Sequence, residues 1–289
     1  MRVWEVGRVA TIVGVHGIGK YRYYAEAGNS AAGAAERMRA KWDRYLHAGL
    51  GSAAARDGRG YIAEVAYYAH HLAKPAAARA RDPERMDAEA QRVLVEWAAQ
   101  LKGVKEAAGE SLTGALRWAT EWLLERLEHR AVAFATLFCP EVAAYLESPN
   151  GPARTRSREV VAEVIRRNRP QVVIAHSLGS VVTYETLHAN PDLEVELLIT
   201  LGSPLGMRNV VFERLLPAPL GGMGGRPPGV KRWVNIADED DIAAIPPSLR
   251  SCFTGVDQDT LVNLDWIDFH TVEKYLGCGA LTPLLTPYL

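Results

Sequence analysis

Short aliphatic runs alternate along the chain with longer stretches whose apolar positions recur every three or four residues. That alternation predicts an α/β fold built on a mostly parallel sheet. Arg8–Val15, Gln171–Ala175 and Glu196–Leu201 are apolar without a two-residue period, as expected of parallel strands covered on both faces. Tyr61–Tyr68 and Arg232–Ile236 complete five expected strands. The Ala-rich stretch Gly28–Gly49 reads as a helix, and Arg154–Arg169 as a charged one stopped by Pro170.

Between the second and third strands the pattern is helical almost throughout. Leu94, Trp97, Leu101, Val104 and Ala108 fall on one helix face, and Leu112, Leu116, Ala119, Leu123 and Leu127 on another. Gly103, Gly109 and Gly114 are the expected weak points. The reading is one domain over 1–289 with a helical insertion over 83–146. That insertion either packs as a helical pair on the sheet or caps a site, with Trp97, Trp118 or Trp122 lining a pocket. The Gly-rich stretch Leu220–Gly229 reads as a loop, equally compatible with a lid and with plain surface.

Composition narrows the class. The 289 residues are 48% hydrophobic and 23% charged, an ordinary globular balance. Lys and Arg number 33 against 34 Asp and Glu, so no global basic field exists to attract nucleic acid. Met1–Val15 contains Arg2, Glu5 and Arg8 and lacks the apolar core of a leader. The longest apolar stretch, Ala131–Leu146, is interrupted by Pro140 and Glu141 and falls short of the roughly 20 residues that span a bilayer. The expectation is a soluble cytoplasmic protein with no membrane span. Cys139, Cys252 and Cys278 form no CxxC pair and read as free thiols, Cys139 as a buried apolar one. His70 and His71 have no carboxylate or Cys at ligand spacing, so no metal and no cofactor are expected.

The most informative segment is Val172-Val173-Ile174-Ala175-His176-Ser177-Leu178-Gly179. A β-branched strand meets a helix beginning near Leu178, with small residues two positions either side of Ser177. Only small neighbours permit so sharp a strand-to-helix turn, which thrusts the serine hydroxyl above the sheet. Ala175 stands where the first glycine is commoner. Early in the chain, Val13-Gly14-Val15-His16-Gly17-Ile18-Gly19 ends a strand in a second glycine-rich turn. With Leu178, the backbone N–H of Ile18 would complete an oxyanion hole. Gly14-x4-Gly19-Lys20 also satisfies the phosphate-loop pattern up to its lysine. Tyr21 occupies the position of the Mg²⁺-binding hydroxyl, which disfavours that reading. Lys20 and Arg22 could also meet an anionic group of a substrate.

A serine hydroxyl is a weak nucleophile until a histidine takes its proton and an acid orients that histidine. In chains with a serine on this turn, acid and histidine follow it in that order. His188 lies on the helix leaving the turn, which leaves His270 as the base. The acid belongs to Ala237-Asp238-Glu239-Asp240-Asp241-Ile242-Ala243. Asp241 precedes an apolar run that would pin its backbone and is preferred; Asp238, nearest the strand end, is the alternative.

With these residues in place, the chain resembles the α/β-hydrolase superfamily in its serine lipase and esterase branch, including lipase-like proteins with a Val-His-Gly-Ile-Gly opening. The likeness rests on Val15–Gly19, Ala175–Ser180, Thr200–Leu205, Asn235–Ala243, and His270 with Tyr275-Leu276 behind it. It covers the sheet core and matches 83–146 only loosely. Asp241-Ile242-Ala243-Ala244 stands where such proteins often have Asp-Pro-Val-Ala. The resemblance implies Ser177 as nucleophile, His270 as base, Asp241 as acid, and the N–H groups of Ile18 and Leu178 as oxyanion donors. The expected activity is cleavage of an ester or thioester of a small or acylated substrate through an acyl-enzyme. An amidase, peptidase or acyltransferase on the same residues, or a non-catalytic binding protein, are the alternatives.

Overall fold

The computed structural model describes residues 10–51, 61–72, 82–103, 111–264 and 270–289. In chain order the elements are β1 (Ala10–Val15), α1 (Tyr21–Glu26), α2 (Ala31–Leu50), β2 (Tyr61–Ala66), α3 (Ala69–Leu72), α4 (Ala88–Lys102), α5 (Leu112–Leu146) and α6 (Pro152–Asn168). Then come β3 (Val172–His176), α7 (Leu178–Ala189), β4 (Val195–Leu201), β5 (Gly224–Gly225), β6 (Val230–Asp238), β7 (Phe253–Thr254), β8 (Gln258–Val262), α8 (Val272–Gly277) and α9 (Thr282–Leu285). Six strands form one sheet in the order β2-β1-β3-β4-β6-β8, every pairing parallel. This is a mixed α/β architecture with a central parallel sheet flanked by helices.

Strands buried on both faces must serve two cores, and their apolar runs do so. Val13, Val173, Ala175 and Leu198 belong to the core shared with α4 to α7. Ile12, Ile174, Leu197 and Ile199 belong to the core shared with α2, α8 and α9. Successive side chains alternate faces, so a period of two is hidden when both faces are apolar.

Several boundaries differ from the sequence expectation. β2 stops at Ala66, because Tyr67 and Tyr68 turn off the sheet to pack beside His16. Arg8 of the first expected strand, and Val104, Ala108 and Gly109 of the insertion, lie outside the described residues. β8 was not anticipated: Gln258-Asp259-Thr260 is polar and half-buried at the sheet edge. The Gly-rich stretch is partly pinned, since β5 pairs with β7 while Leu220 stays exposed.

The helical stretch resolves into α4 and one 35-residue helix, α5. Gly103, with φ +76°, closes α4 in the left-handed conformation expected of a C-terminal glycine. Gly114 is no weak point; its N–H donates to Ser111 Oγ at 3.3 Å in the first turn of α5. Pro140 sits inside that helix, where Ala131, Ala135, Phe138, Val142 and Tyr145 bury one continuous face. Among the described residues no helix is long and apolar enough to cross a membrane.

Candidate active site

Ser177 lies between β3 and α7 with φ +55° and ψ −133°, a conformation that L-residues rarely adopt. The close approach of neighbouring backbone explains the small residues around it. A Cβ on Gly179 would stand 2.4 Å from the carbonyl oxygen of His16 and 2.6 Å from that of Val15. The Ser177 N–H donates to Leu201 O at 3.0 Å, tying the turn to β4. Ser180 Oγ donates to Ser177 O at 2.6 Å and lies 2.7 Å from Ser203 Oγ.

His270 and Asp241 arrive from loops after β8 and β6. His270 Nε2 is 2.7 Å from Ser177 Oγ, and Nδ1 is 2.8 Å from each carboxylate oxygen of Asp241. This assigns the proton on Nδ1 to the carboxylate side and leaves the Nε2 lone pair facing the hydroxyl. Asp241 is fixed in turn: Ala243 N–H donates to Oδ1 at 2.9 Å and Tyr275 OH to Oδ2 at 2.7 Å. Tyr275 OH also accepts from the N–H of Asp238 at 3.0 Å. Asp238, the alternative acid, points elsewhere. Its carboxylate accepts from the N–H groups of Asp240 and Leu264 and so holds the turn together. Gly202, with φ +52°, makes room for the pair, since a Cβ there would come within 2.6 Å of Asp241 Oδ2.

The turn after β1 packs directly against the serine. A Cβ on Gly17 would fall 2.5 Å from Ser177 Cβ and 3.0 Å from its Oγ. His16 braces this turn from inside: its Nδ1 lies 2.6 Å from Gly17 O, Tyr68 N–H donates to Nε2 at 3.1 Å, and Tyr68 OH donates to His16 O at 2.6 Å. Burial, against the hydrogen bond to Gly17, pushes the His16 pKa down to about 3, so the ring is neutral. Among the described residues, the N–H groups of Ile18 and Leu178 have no acceptor. Leu178 opens α7, where no intrahelical partner exists.

Helix α5 covers this arrangement. The Phe134 ring meets the His270 ring edge-on at 5.1 Å. Both carboxylate oxygens of Glu141 accept from Gly19 N–H at 3.1 Å, and burial raises the Glu141 pKa to about 7. Ser177 is wholly screened from solvent and His270 is nearly so. His176 is also buried, its ring 4.8 Å from that of His270, and neither of its nitrogens has a partner. Burial holds it neutral; the charge of the neighbouring His270 acts in the same direction and the His270 backbone against it.

Comparison with known proteins finds no matching family model, no curated relative and no similar solved structure. The residues themselves therefore carry the functional argument. Of Trp97, Trp118 and Trp122, Trp97 is fully buried and donates to Ile242 O at 2.7 Å, tying α4 to the Asp241 loop. Trp122 lines a cavity of about 580 Å³ with Leu101, Leu127, Ile242 and Ile245, beside Asp241. Among the described residues no three His, Cys, Asp or Glu side chains converge as metal ligands. His70 instead stacks on Tyr24 and Tyr67. Tyr275 stands in a stretch singled out from the sequence without a role of its own and Glu141 in none, and only their distant partners reveal what they do.

Proposed function

We propose that this chain is a serine hydrolase of the α/β-hydrolase type that cleaves an ester or thioester through an acyl-enzyme on Ser177. The observation that carries this reading is the unbroken hydrogen-bonded chain from Asp241 through His270 to Ser177 Oγ. Its serine stands on a strained strand-to-helix turn at the centre of a parallel sheet. The order of elements supports it too, because nucleophile, acid and base follow β3, β6 and β8 in turn. The unpaired thiols of Cys139, Cys252 and Cys278 suit a reducing compartment such as the cytoplasm.

In this reading Ser177 Oγ attacks the carbonyl carbon while His270 Nε2 takes the hydroxyl proton, and Asp241 stabilises the imidazolium that forms. The carbonyl oxygen becomes an oxyanion between the N–H groups of Ile18 and Leu178. His270 returns the proton to the departing alcohol or thiol, which leaves the acyl group on Ser177. Water, deprotonated by His270, then attacks the acyl carbon; the bond to Ser177 Oγ breaks, that oxygen takes the proton back from His270, and the acid leaves. Labelling with a fluorophosphonate probe tests the proposal. The expected result is one modified residue, Ser177, by peptide mapping, with turnover of 4-nitrophenyl esters. An unlabelled, inactive wild-type protein would identify a binding module instead.

A further inference from the structure

We infer that Glu141 is a positioning residue for the reaction: from α5 it holds the glycine-rich turn after β1 so that the Ile18 N–H meets the developing oxyanion. The inference rests on the serine-hydrolase reading of Ser177 and adds to it what fixes one of the two oxyanion donors. The turn has little rigidity of its own. It reads His16-Gly17-Ile18-Gly19-Lys20, with Gly19 at φ +72°, a conformation from which glycine rotates at little cost. Ile18 lies between two peptide planes, and each is held by one side chain. The plane that carries the Ile18 N–H also carries Gly17 O, to which His16 Nδ1 donates at 2.6 Å. The next plane carries the Gly19 N–H, which donates to Oε1 and Oε2 of Glu141 at 3.1 Å each. His16 acts from inside the fold, its ring fixed by Tyr68 N–H, and Glu141 acts from the covering helix.

The tyrosines beside this turn hold its carbonyls: Tyr68 OH donates to His16 O and Tyr67 OH to Lys20 O. Glu141 supplies the complementary restraint on an N–H. A carboxylate suits that task because it only accepts. If the Ile18–Gly19 plane flipped, the Ile18 carbonyl oxygen would face the carboxylate and the Gly19 N–H would lose its partner. The spacing on α5 fits the same purpose. Phe134, Leu137 and Glu141 follow one another at three and four positions, on one helix face. Phe134 meets the His270 ring, and Leu137 Cδ1 lies 3.6 Å from where a Cβ on Gly19 would stand. That face thus runs from the base to the oxyanion turn. For packing alone an apolar side chain at 141 would serve as well as a half-buried carboxylate, whose desolvation costs stability.

Two variants test the inference. Glu141→Leu keeps the bulk and removes the acceptor, and Glu141→Gln keeps an acceptor oxygen without the charge. Turnover of 4-nitrophenyl butanoate is compared with that of its thiono analogue, in which sulfur replaces the carbonyl oxygen. Sulfur accepts hydrogen bonds poorly, so the preference for the oxygen ester reports on the oxyanion donors. Glu141→Leu should lower kcat for the oxygen ester by about 10- to 100-fold with KM within about threefold, the cost of a misplaced donor. Its preference for the oxygen ester should shrink by at least about fivefold, whereas Glu141→Gln should stay within about threefold of wild type in both readouts. A merely structural loss would slow both esters alike. An unchanged preference, a Glu141→Leu kcat within about threefold of wild type, or equal losses in the two variants would overturn the inference. Circular dichroism accompanies each variant, and Glu141→Ala replaces Glu141→Leu if that protein does not fold. Fluorophosphonate labelling separates the two readings. Any of those overturning results in a protein whose wild type is active and labelled at Ser177 removes the role of Glu141 alone. An unlabelled, inactive wild type removes the hydrolase and that role with it.

Discussion

Ser177, His270, Asp241 and Asp238 each hold distinct partners, so single substitutions among them should separate cleanly. Ser177→Ala should lower ester kcat by about 10⁴- to 10⁶-fold with the fold intact, measured by turnover and circular dichroism. Asp241→Asn should lower kcat by about 10⁴-fold, because an amide at that position favours the wrong tautomer of His270. Asp238→Asn puts an NH2 donor in place of one of the two oxygens that accept from Asp240 and Leu264, and touches no acceptor of the histidine. Its effect should appear chiefly in thermal stability, with kcat far less affected than in Asp241→Asn. A larger kcat loss for Asp238→Asn would move the acid assignment. His16 makes a pH prediction. Its folded pKa of about 3 lies below the ordinary 6.5, so the unfolded chain binds a proton that the folded one refuses. Stability is therefore fully present above pH 6.5 and is lost as pH falls toward 3. Urea midpoints should drop across that window, and less steeply in His16→Asn.

At the level of elements, the sheet was legible because its central strands are continuous apolar runs between turn residues. Ser177 was legible because Ala175 and Gly179 are small where the turn requires it. The edge strand β8 was not, since half-exposed Gln258 and Asp259 satisfy neither strand pattern. The roles of Tyr275 and Glu141 were hidden for another reason. Tyr275 acts on Asp241 across 34 positions and Glu141 on Gly19 across 122, separations that no local spacing encodes. Within 83–146 the described residues are largely helical, as their spacing predicts, but the hold of α4 and α5 on the site came only from Phe134, Glu141 and Trp97. Trp97→Phe tests that hold. It removes the donor to Ile242 O while keeping the packing, so Asp241 should lose restraint. The expected result is a stability loss of about 1–3 kcal/mol from the unpaired carbonyl, with a modest fall in kcat.

Across the whole molecule, the stacked layers are joined by one charged network. Arg154 and Glu185 are both buried and paired, Tyr145 OH donates to Glu185 at 2.7 Å, and Arg154 also donates to Arg214 O at 2.6 Å. Helices α5, α6 and α7 thus share one carboxylate. Arg154→Ala should destabilise the fold by about 3–5 kcal/mol by leaving Glu185 buried without a cation. A midpoint within experimental error of wild type would show that the charge finds water. The backbone of Ser177 acts in the opposite sense on global stability. Its positive φ, held against an L-residue's preference, costs about 1–3 kcal/mol. Glycine relieves that strain where alanine keeps it, so Ser177→Gly protein should melt higher than Ser177→Ala protein despite the looser unfolded chain. A lineage that replaced Ser177 with glycine would therefore gain thermal tolerance, whereas one that only trimmed the hydroxyl away would keep the tax.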